Sequence, residues 1–361
     1  MIIGQFTNPT VTFPTAIDGA KAAVAYYNSH GGVNGHMLQL EVCDDTGDPN
    51  VGASCARQAI SDGVVATVGD ASFEGATVLP ILQSAHIAAI GNDAIDPIDS
   101  TSPASFPVDG GTIVGYGGAS YALARSGECT KIGIVGADVP EVTGQITTAV
   151  VNAAKFNNIT AGAEIYYPEA GGDMDPVAAK VEASGTNCFV FAGVGADGYV
   201  LFTDSAQAGG KIHFGITPAG EQPSDLQKLG TVGNGLKLVD TFAPVGGDNP
   251  AIVTIKAALN QVNPKDAIDT YVLRSWAGVE IAVDMAKKIT GTVTADGVWD
   301  QLNAATNINL GFVAPLNFAK QSPLSGANRI FNTSVLLETV QDGVAVPDSN
   351  TFVNLASALS S

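Results

Sequence analysis

Short apolar runs alternate with longer amphipathic stretches along most of the chain. The run IIGQF predicts a first strand, and the apolar residues of AIDGAKAAVAYYN recur at the spacing of one helical face. The same order restarts at KIGIVG. Further helices are predicted near 142–157, 175–184 and 198–208. Alternating strands and helices favour parallel sheets with helices on both faces, so the pattern predicts an α/β protein.

The alternation divides the chain into two blocks, near 1–120 and 121–243. Three helical stretches (NPAIVTIKAALNQV, TYVLRSWAGVEIAVDMAKKI and ADGVWDQLNAA) and a strand (TSVLLETV) follow, and we expect them to pack onto these blocks. A length of 361 residues also suggests two domains. Ligands of such folds bind beyond the carboxyl ends of the strands, and two such domains side by side offer a cleft.

The stretch NSHGGVNGHMLQLEVCDDTGDP crowds metal-ligand residue types into a short segment. Its glycines suit the end of a helix, MLQLEV alternates as a strand does, and Asp48 with Pro49 suits the start of the next helix. Asp44 and Asp45 are adjacent, and the segment lacks the spacing and distal glutamate of a calcium loop. We therefore interpret it as scaffold and predict no metal site.

Composition narrows the classes of partner. The formal net charge is -19, the charged residues make up only 14% of the chain, and no cluster of Lys or Arg occurs. Phosphate backbones need a basic surface, so we expect no nucleic-acid partner. No apolar run reaches the roughly 18–20 residues that cross a bilayer, so we expect no membrane span.

The usual catalytic and cofactor motifs are absent from the sequence. There is no GxxxxGK[ST] loop, no GxGxxG after the first strand and no GxSxG elbow. The four histidines are scattered, with no HExxH pair. We therefore predict no cofactor and no enzymatic activity.

The four cysteines leave three pairings open. Two lie close in sequence and two start strand-like segments, an arrangement that suits disulfides in an exported protein. Met1 leads straight into the first predicted strand, so the chain is either cytosolic or has lost a signal segment. The spacing of the cysteines alone does not decide between a cytosolic protein and an exported protein with disulfides.

One long segment resembles a known family. GAKAAVAYYNSHGGVNGHMLQLEVCDDTGDPNVGASCARQAISDGVVATVG is similar to the N-terminal lobe of type I periplasmic binding proteins, in the leucine/isoleucine/valine-binding branch of the ABC-importer substrate-binding proteins. The elements N-x-x-GG-(V/I)-x-G, DD-x-x-D-P and DGV-x-x-(V/I)-G occur in order. The second half matches by its alternation more than by motif.

The resemblance implies two Rossmann-like lobes joined by three hinge strands, with a ligand cleft between them. Lobe 1 would hold residues 1–120 and 244–320, and lobe 2 residues 121–243 and 321–361. The crossings would lie near 119–122, 241–246 and 319–328. The lobes would close over a small-molecule ligand, and the closed form would dock on a membrane permease.

The resemblance also bears on the cysteines and on localisation. Exported members often carry a disulfide beside the DD motif, which implies a Cys43–Cys55 bridge. Cys129 and Cys188 start strands that should be neighbours, which implies a second bridge. We expect an exported monomer, either periplasmic or tethered at the cell surface with any lipid anchor lost along with the signal segment.

Family loops indicate the ligand residues. In lobe 1 they are VGDASFEGAT and AIGNDAIDP, together with two aromatic positions. The lobe 1 candidates are Phe13, Ser72, Phe73, Asn92, Asp93, Ala94 and Tyr271. Lobe 2 departs from the D-x-x-Y-G-x-G motif by reading ADVPEVTGQ. Its candidates are Glu141, Val194, Thr217 and Glu221, and the amino-acid clamp is therefore incomplete. Arg274 is the nearest cation to these loops.

The leading hypothesis is a solute-binding protein that feeds an ABC importer. We rank a small amino acid or amide-like metabolite first as ligand, then another small polar or aromatic compound. An alternative is a ligand-sensing regulator of the same fold, similar to an amide sensor, with no transport role. An enzyme ranks third, because no nucleophile and base emerge as a set.

Overall fold

The computed structural model describes residues 1–8, 11–168, 173–209, 211–218, 223–265 and 267–360.

The strands are β1 (Ile2–Gly4), β2 (Val42–Asp44), β3 (Ala66–Val68), β4 (Ala88–Ile90), β5 (Ser105–Phe106), β6 (Lys131–Asp138), β7 (Thr160–Pro168), β8 (Cys188–Ala192), β9 (His213–Ile216), β10 (Lys237–Asp240), β11 (Ser334–Gln341), β12 (Val344–Pro347) and β13 (Val353–Asn354). The α/β prediction is confirmed.

The helices follow the strands in the predicted order. They are α1 (Pro14–Ser29), α2 (Pro49–Ser61), α3 (Gly75–Ser84), α4 (Gly111–Arg125), α5 (Pro140–Phe156), α6 (Asp175–Ala183), α7 (Gly195–Gln207), α8 (Pro223–Leu229), α9 (Pro250–Val262), α10 (Thr270–Lys287), α11 (Ala295–Asn303) and α12 (Ala356–Leu359). Within the described segments, no helix combines the length and apolar character needed to cross a membrane.

The chain forms two compact units, each built from two chain segments. Unit 1 is Met1–Gly111 with Phe242–Asn332, and unit 2 is Thr112–Thr241 with Thr333–Ser361. The resemblance placed the first change of lobe near residue 120, whereas the units change at the start of α4. That helix is continuous, so it belongs almost wholly to unit 2. The last change falls after residue 332 rather than near 319–328.

Unit 1 holds a parallel sheet between two helical layers. β1 pairs with β2, and β3 pairs with β4 and β4 with β5, all parallel. Backbone hydrogen bonds such as Val68 N to Met1 O, at 2.9 Å, join β1 to β3. Successive residues of β1 face opposite layers: Ile2 lies in the core with α1, α9 and α10, while Ile3 lies in the core with α2 and α3.

Close helix packing in unit 1 depends on a glycine. A Cβ on Gly19 of α1 would lie 2.7 Å from both the Cα and the carbonyl oxygen of Val272 in α10. Any side chain there would force the two backbones apart. The same approach buries Val272 completely, so the small residue is required by packing rather than by backbone conformation.

The metal-like stretch forms the predicted helix end, strand and helix start, but its strand is shorter than predicted. MLQLEV was expected to form the strand, whereas β2 begins only at Val42. Leu38 and Leu40 do pack against the unit 1 core, but Val42 is exposed. Asp48 caps α2 by accepting hydrogen bonds from Asn50 N at 2.7 Å and Val51 N at 3.4 Å. Both predicted disulfides, Cys43–Cys55 and Cys129–Cys188, are present.

Unit 2 holds one large sheet with the strand order β12-β11-β10-β9-β8-β6-β7. The pairs from β10 to β7 are parallel, and β11 and β12 add antiparallel pairs. Neighbouring parallel strands bring their carboxyl ends to one edge of the sheet. The loops after β6, β8 and β9 therefore lie side by side within this unit.

Glu338 is a buried acid on β11, and its burial predicts that the stability of unit 2 depends on pH. It is 3% exposed. Burial, followed by the charges of Asp240 and Asp348, raises its pKa to about 8. A raised pKa in the folded state gives stability that is complete below the unfolded value near 4.5 and is lost as the pH rises towards 8. Unit 2 should therefore become less stable over this pH range.

We expect Glu338→Gln to remove this loss and to stabilise unit 2 by roughly 2–4 kcal/mol at pH 8.5, with little effect at pH 4.5. Urea unfolding across this pH range, followed by hydrogen exchange in unit 2 peptides, measures the difference. Glu164→Gln on β7, an exposed acid of the same unit, is the matched control. A constant difference between Glu338→Gln and wild type at every pH would contradict the prediction.

Candidate functional site

Three predicted aromatic residues meet in unit 1. Phe13 precedes α1, Phe73 lies in the loop after β3, and Tyr271 is in the first turn of α10. The ring centroids of Phe13 and Tyr271 are 4.7 Å apart, and those of Phe13 and Phe73 are 6.1 Å apart. Phe13 and Tyr271 are buried, while Phe73 is 36% exposed. The cluster thus has an apolar base and one accessible ring.

Arg274 lies one helical turn after Tyr271 and binds two carboxylates. Its Nη1 is 2.6 Å from Asp93 Oδ2, and its Nε donates to Asp109 Oδ2 at 2.6 Å. All three side chains are at least 93% buried. The guanidinium carbon also lies 5.3 Å from the Tyr271 ring centroid. This group, which we call the Arg274 triad, connects the loops after β4 and β5 to helix α10.

Sequence reasoning named Asp93 and Arg274 separately but missed Asp109. A signal for the triad was present, because Arg274 is the only charged residue in the otherwise apolar or neutral stretch TYVLRSWAGV. A lone cation on a buried helix face needs an acid partner. The adjacent parallel strands β4 and β5 could have indicated which acids reach it, because their following loops lie together.

The triad leaves a surplus of negative charge. Desolvation raises the pKa of Asp93 to about 6, although Arg274 pulls it down and Asp109 adds to the rise. Desolvation by itself would lower the pKa of Arg274, but the carboxylates of Asp109 and Asp93 raise it. The arginine is therefore always charged, and its single positive charge faces two acids.

Other buried acids follow the same strands. Asp70, after β3, accepts Ile3 N at 2.8 Å and hydrogen-bonds with the hydroxyl of Thr67, yet burial raises its pKa to about 6. Asp99 accepts Asp96 N at 2.8 Å, and burial raises its pKa well above the ordinary value. Buried acids therefore crowd the carboxyl end of the unit 1 sheet, and each one that is ionised disfavours a bound anion there.

The predicted residues Ser72, Asn92 and Asp93 line a small cavity, together with Asp70 and Asp99. Its volume is about 20 Å³, which has room for a single water. The amide of Asn92 donates to Ser105 Oγ at 2.9 Å and its oxygen accepts from the same hydroxyl at 3.2 Å. Ser72 Oγ accepts Glu74 N at 2.9 Å.

The contacts that the structure places on Ser72, Asn92 and Asp93 are thus internal to unit 1. Ala94 is also buried, and its backbone continues the loop after β4. These residues belong to the loops after β3 and β4. Direct contact with a ligand stays a prediction for each of them.

The candidates of unit 2 follow neighbouring strands. Val194 precedes α7 after β8 and is 50% exposed, and Thr217 follows β9 and is buried. Glu141 is the second residue of α5, after β6, and its side chain lies outside the described part of the chain, as does the whole of Glu221. The loops that carry Glu141, Val194 and Thr217 share one edge of the unit 2 sheet.

Backbone N–H groups bind one carboxylate oxygen each of Asp44 and Asp45 in the metal-like stretch. Asp44 Oδ1 accepts Phe6 N at 2.9 Å and Thr46 N at 3.0 Å. Asp45 Oδ1 accepts Gly47 N at 3.0 Å. Among the residues that the structure describes, no three His, Cys, Asp or Glu side chains are grouped to hold a metal ion.

The sequence profile of the Periplasmic binding protein family matches residues 4–331. The chain belongs to this family. The fold and the relatives of this periplasmic binding protein are those of substrate-binding proteins and not of enzymes. The resemblance to the leucine/isoleucine/valine-binding branch is confirmed by the relatives, and the family is one of exported proteins that bind small ligands.

Two curated relatives share sequence with this periplasmic binding protein. The Leu/Ile/Val-binding protein homolog 3 of Brucella melitensis is 36% identical over 69 residues, which are only 19% of either chain. The Leu/Ile/Val-binding protein homolog 1 of Brucella abortus is 25% identical over 295 residues, 78% of this chain and 76% of its own.

A solved structure shows the same fold. The fatty acid ABC transporter substrate-binding protein of Thermomonospora curvata superposes with a TM-score of 0.83 over 99% of this chain and 92% of its own. Sequence identity is only 17%, so the likeness concerns the fold.

Proposed function

We propose that this protein is the substrate-binding component of an ABC importer and that its ligand is a small polar solute of the amino-acid type. The observation that carries the proposal is the aromatic cluster beside the Arg274 triad, at the carboxyl end of the unit 1 sheet. Family membership and the Leu/Ile/Val-binding relatives support a solute-binding role. Docking on a permease, a monomeric state and a surface tether stay predictions of the resemblance.

Charge favours an ammonium-bearing ligand over a simple carboxylic acid. In the Arg274 triad two acids face one cation, and all three side chains are desolvated. A ligand that carries only a carboxylate would meet repulsion there, whereas an ammonium would be attracted. A zwitterion can place its ammonium toward the acids and its carboxylate on backbone amides.

The aromatic cluster supports an apolar side chain on the ligand. Phe73 presents an accessible ring above the buried pair of Phe13 and Tyr271, and such a surface binds aliphatic or aromatic groups. The two features together suit an amino acid with an apolar side chain. The fatty-acid-type ligand named for the structural relative lacks the ammonium group.

The test is a binding comparison of L-leucine with two analogues. 4-Methylpentanoate lacks the ammonium, and isoamylamine lacks the carboxylate. Isothermal titration should give the tightest binding for the zwitterion and a loss of at least about tenfold, roughly 1.4 kcal/mol, for 4-methylpentanoate. Mass spectrometry of native protein, run alongside, identifies any ligand carried through purification. Tighter binding of 4-methylpentanoate than of leucine would reject the amino-acid class.

A matched pair of variants tests the site itself. We expect Phe73→Ala to weaken the ligand identified above by about tenfold or more, because it removes the accessible ring. Val253→Ala, which shortens an exposed apolar side chain on α9 of the same unit, should have no effect. If the Phe73→Ala and Val253→Ala variants bound the ligand with equal affinity, the ligand would not bind at the aromatic cluster. Hinge closure, which the resemblance implies, can be tested by small-angle X-ray scattering with and without that ligand.

A further inference from the structure

Arg329 is a buried arginine that lacks an acid partner among the described residues. It is 8% exposed and lies near the end of the unit 1 segment Phe242–Asn332. No carboxylate of the described chain lies within ion-pairing distance of its guanidinium, in contrast to Arg274. A desolvated charge of this kind is costly unless another group compensates it.

Two aromatic rings offset only part of the free-energy cost of burying the charge of Arg329. Its guanidinium carbon lies 4.2 Å from the centroid of Phe106 and 4.6 Å from that of Phe331, and the two rings are within 14° of parallel. Aromatic rings attract a cation through their faces. They accept none of the strong N–H hydrogen bonds, which a stacked guanidinium directs outward in its own plane.

The N–H groups of Arg329 are largely unused. Nε donates to Ser105 O at 2.9 Å, and this is the one hydrogen bond of the guanidinium with a described residue. Nη2 is buried and has no hydrogen-bond partner in the described chain. Desolvation lowers the pKa of Arg329 to about 10, with no contribution from a neighbouring acid. The group remains charged at neutral pH.

We propose that the free in-plane N–H groups of Arg329 bind a small inorganic anion of the size of chloride. The anion would supply both missing elements at once, a negative charge and a hydrogen-bond acceptor. The site is separate from the aromatic cluster and the Arg274 triad, since the residues that build it are Ser105, Phe106, Arg329 and Phe331. It would hold the end of this unit 1 segment against β5.

The first test compares anions at equal ionic strength. Thermal unfolding of the full chain is measured in sodium gluconate, with chloride, bromide or phosphate replacing gluconate stepwise. We expect a saturable rise in Tm of about 2–5 °C with chloride or bromide. Arg329→Gln should lose this rise. Arg57→Gln, which removes an exposed arginine from α2 of the same unit, should keep it.

The second test needs no variant and so does not depend on how Arg329→Gln folds. Crystals of wild-type protein grown or soaked in sodium bromide are measured at the bromine absorption edge. We expect an anomalous peak within hydrogen-bonding distance of Nη2 of Arg329. A water at that position without anomalous signal, or a Tm that is the same in chloride and gluconate, would overturn the proposal. A response to phosphate alone would exclude the chloride-sized site.

Discussion

Replacing Arg274 with methionine is expected to destabilise unit 1 by about 3–5 kcal/mol at pH 7.5, the largest effect of any single substitution predicted for this protein. The change leaves Asp93 and Asp109 buried beside one another without their cation. Both tryptophans of the chain, Trp276 and Trp299, lie in unit 1. Urea unfolding followed by tryptophan fluorescence therefore reports on the unit that the substitution affects.

The pH dependence separates a charge effect from a packing effect. The pKa of Asp93 is already raised to about 6 and should rise further without Arg274. A raised pKa costs stability as the pH increases, so Arg274→Met should lose much less stability at pH 5 than at pH 7.5. Arg57→Met, at an exposed position of α2, is the control. An equal loss at both pH values would mean that packing, not charge, accounts for the effect.

Removing the Cys129–Cys188 bridge is expected to cost about 4 kcal/mol, against about 3 kcal/mol for Cys43–Cys55. The sequence separations are 59 and 12 residues, and a longer closed loop restricts the unfolded chain more strongly. The double variants Cys129→Ala with Cys188→Ala, and Cys43→Ala with Cys55→Ala, are matched. Each contains one cysteine that is almost fully buried, Cys188 or Cys55.

Hydrogen exchange resolved by peptide measures the two losses in the units where they arise. Amides of β6 and β8 should lose protection in the first double variant, and those of α2 and β2 in the second. Wild-type protein treated with reductant should follow the sum of the two. A larger loss for the short loop would contradict the ranking and would point to local packing rather than chain entropy.

Much of the fold could be predicted because local pattern and tertiary structure agree. Buried parallel strands such as β3 and β4 appear as short apolar runs, and α2 begins where Asp48 and Pro49 indicate. MLQLEV shows the limit of this reasoning. Its alternation is real at Leu38 and Leu40, but only residues from Val42 on find a partner strand in β1. Periodicity indicates which side chains face a core, not where backbone pairing starts.

The candidate site was harder to predict because it depends on pairing between distant residues. Phe13, Phe73 and Tyr271 were named from motif positions, and the structure brings them together. Asp93 is a predicted ligand residue whose carboxylate pairs with Arg274 in the structure, and the second acid of that pairing, Asp109, was missed. Whether a carboxylate is free depends on which cation reaches it through the fold. The stretch TYVLRSWAGV indicates that Arg274 needs an acid partner, but only the order of the strands indicates which acids reach it.

The division of each unit into two chain segments has a consequence during synthesis. Ile2 shares its core with Leu259 and Val272, which lie more than two hundred positions later in the chain. The core of unit 2 likewise cannot form without β11, which pairs with β10 and supplies the buried Val335 and Leu336. Neither hydrophobic core can close until both of its chain segments have been synthesised, so the earlier segment exposes apolar strands until the later one is available.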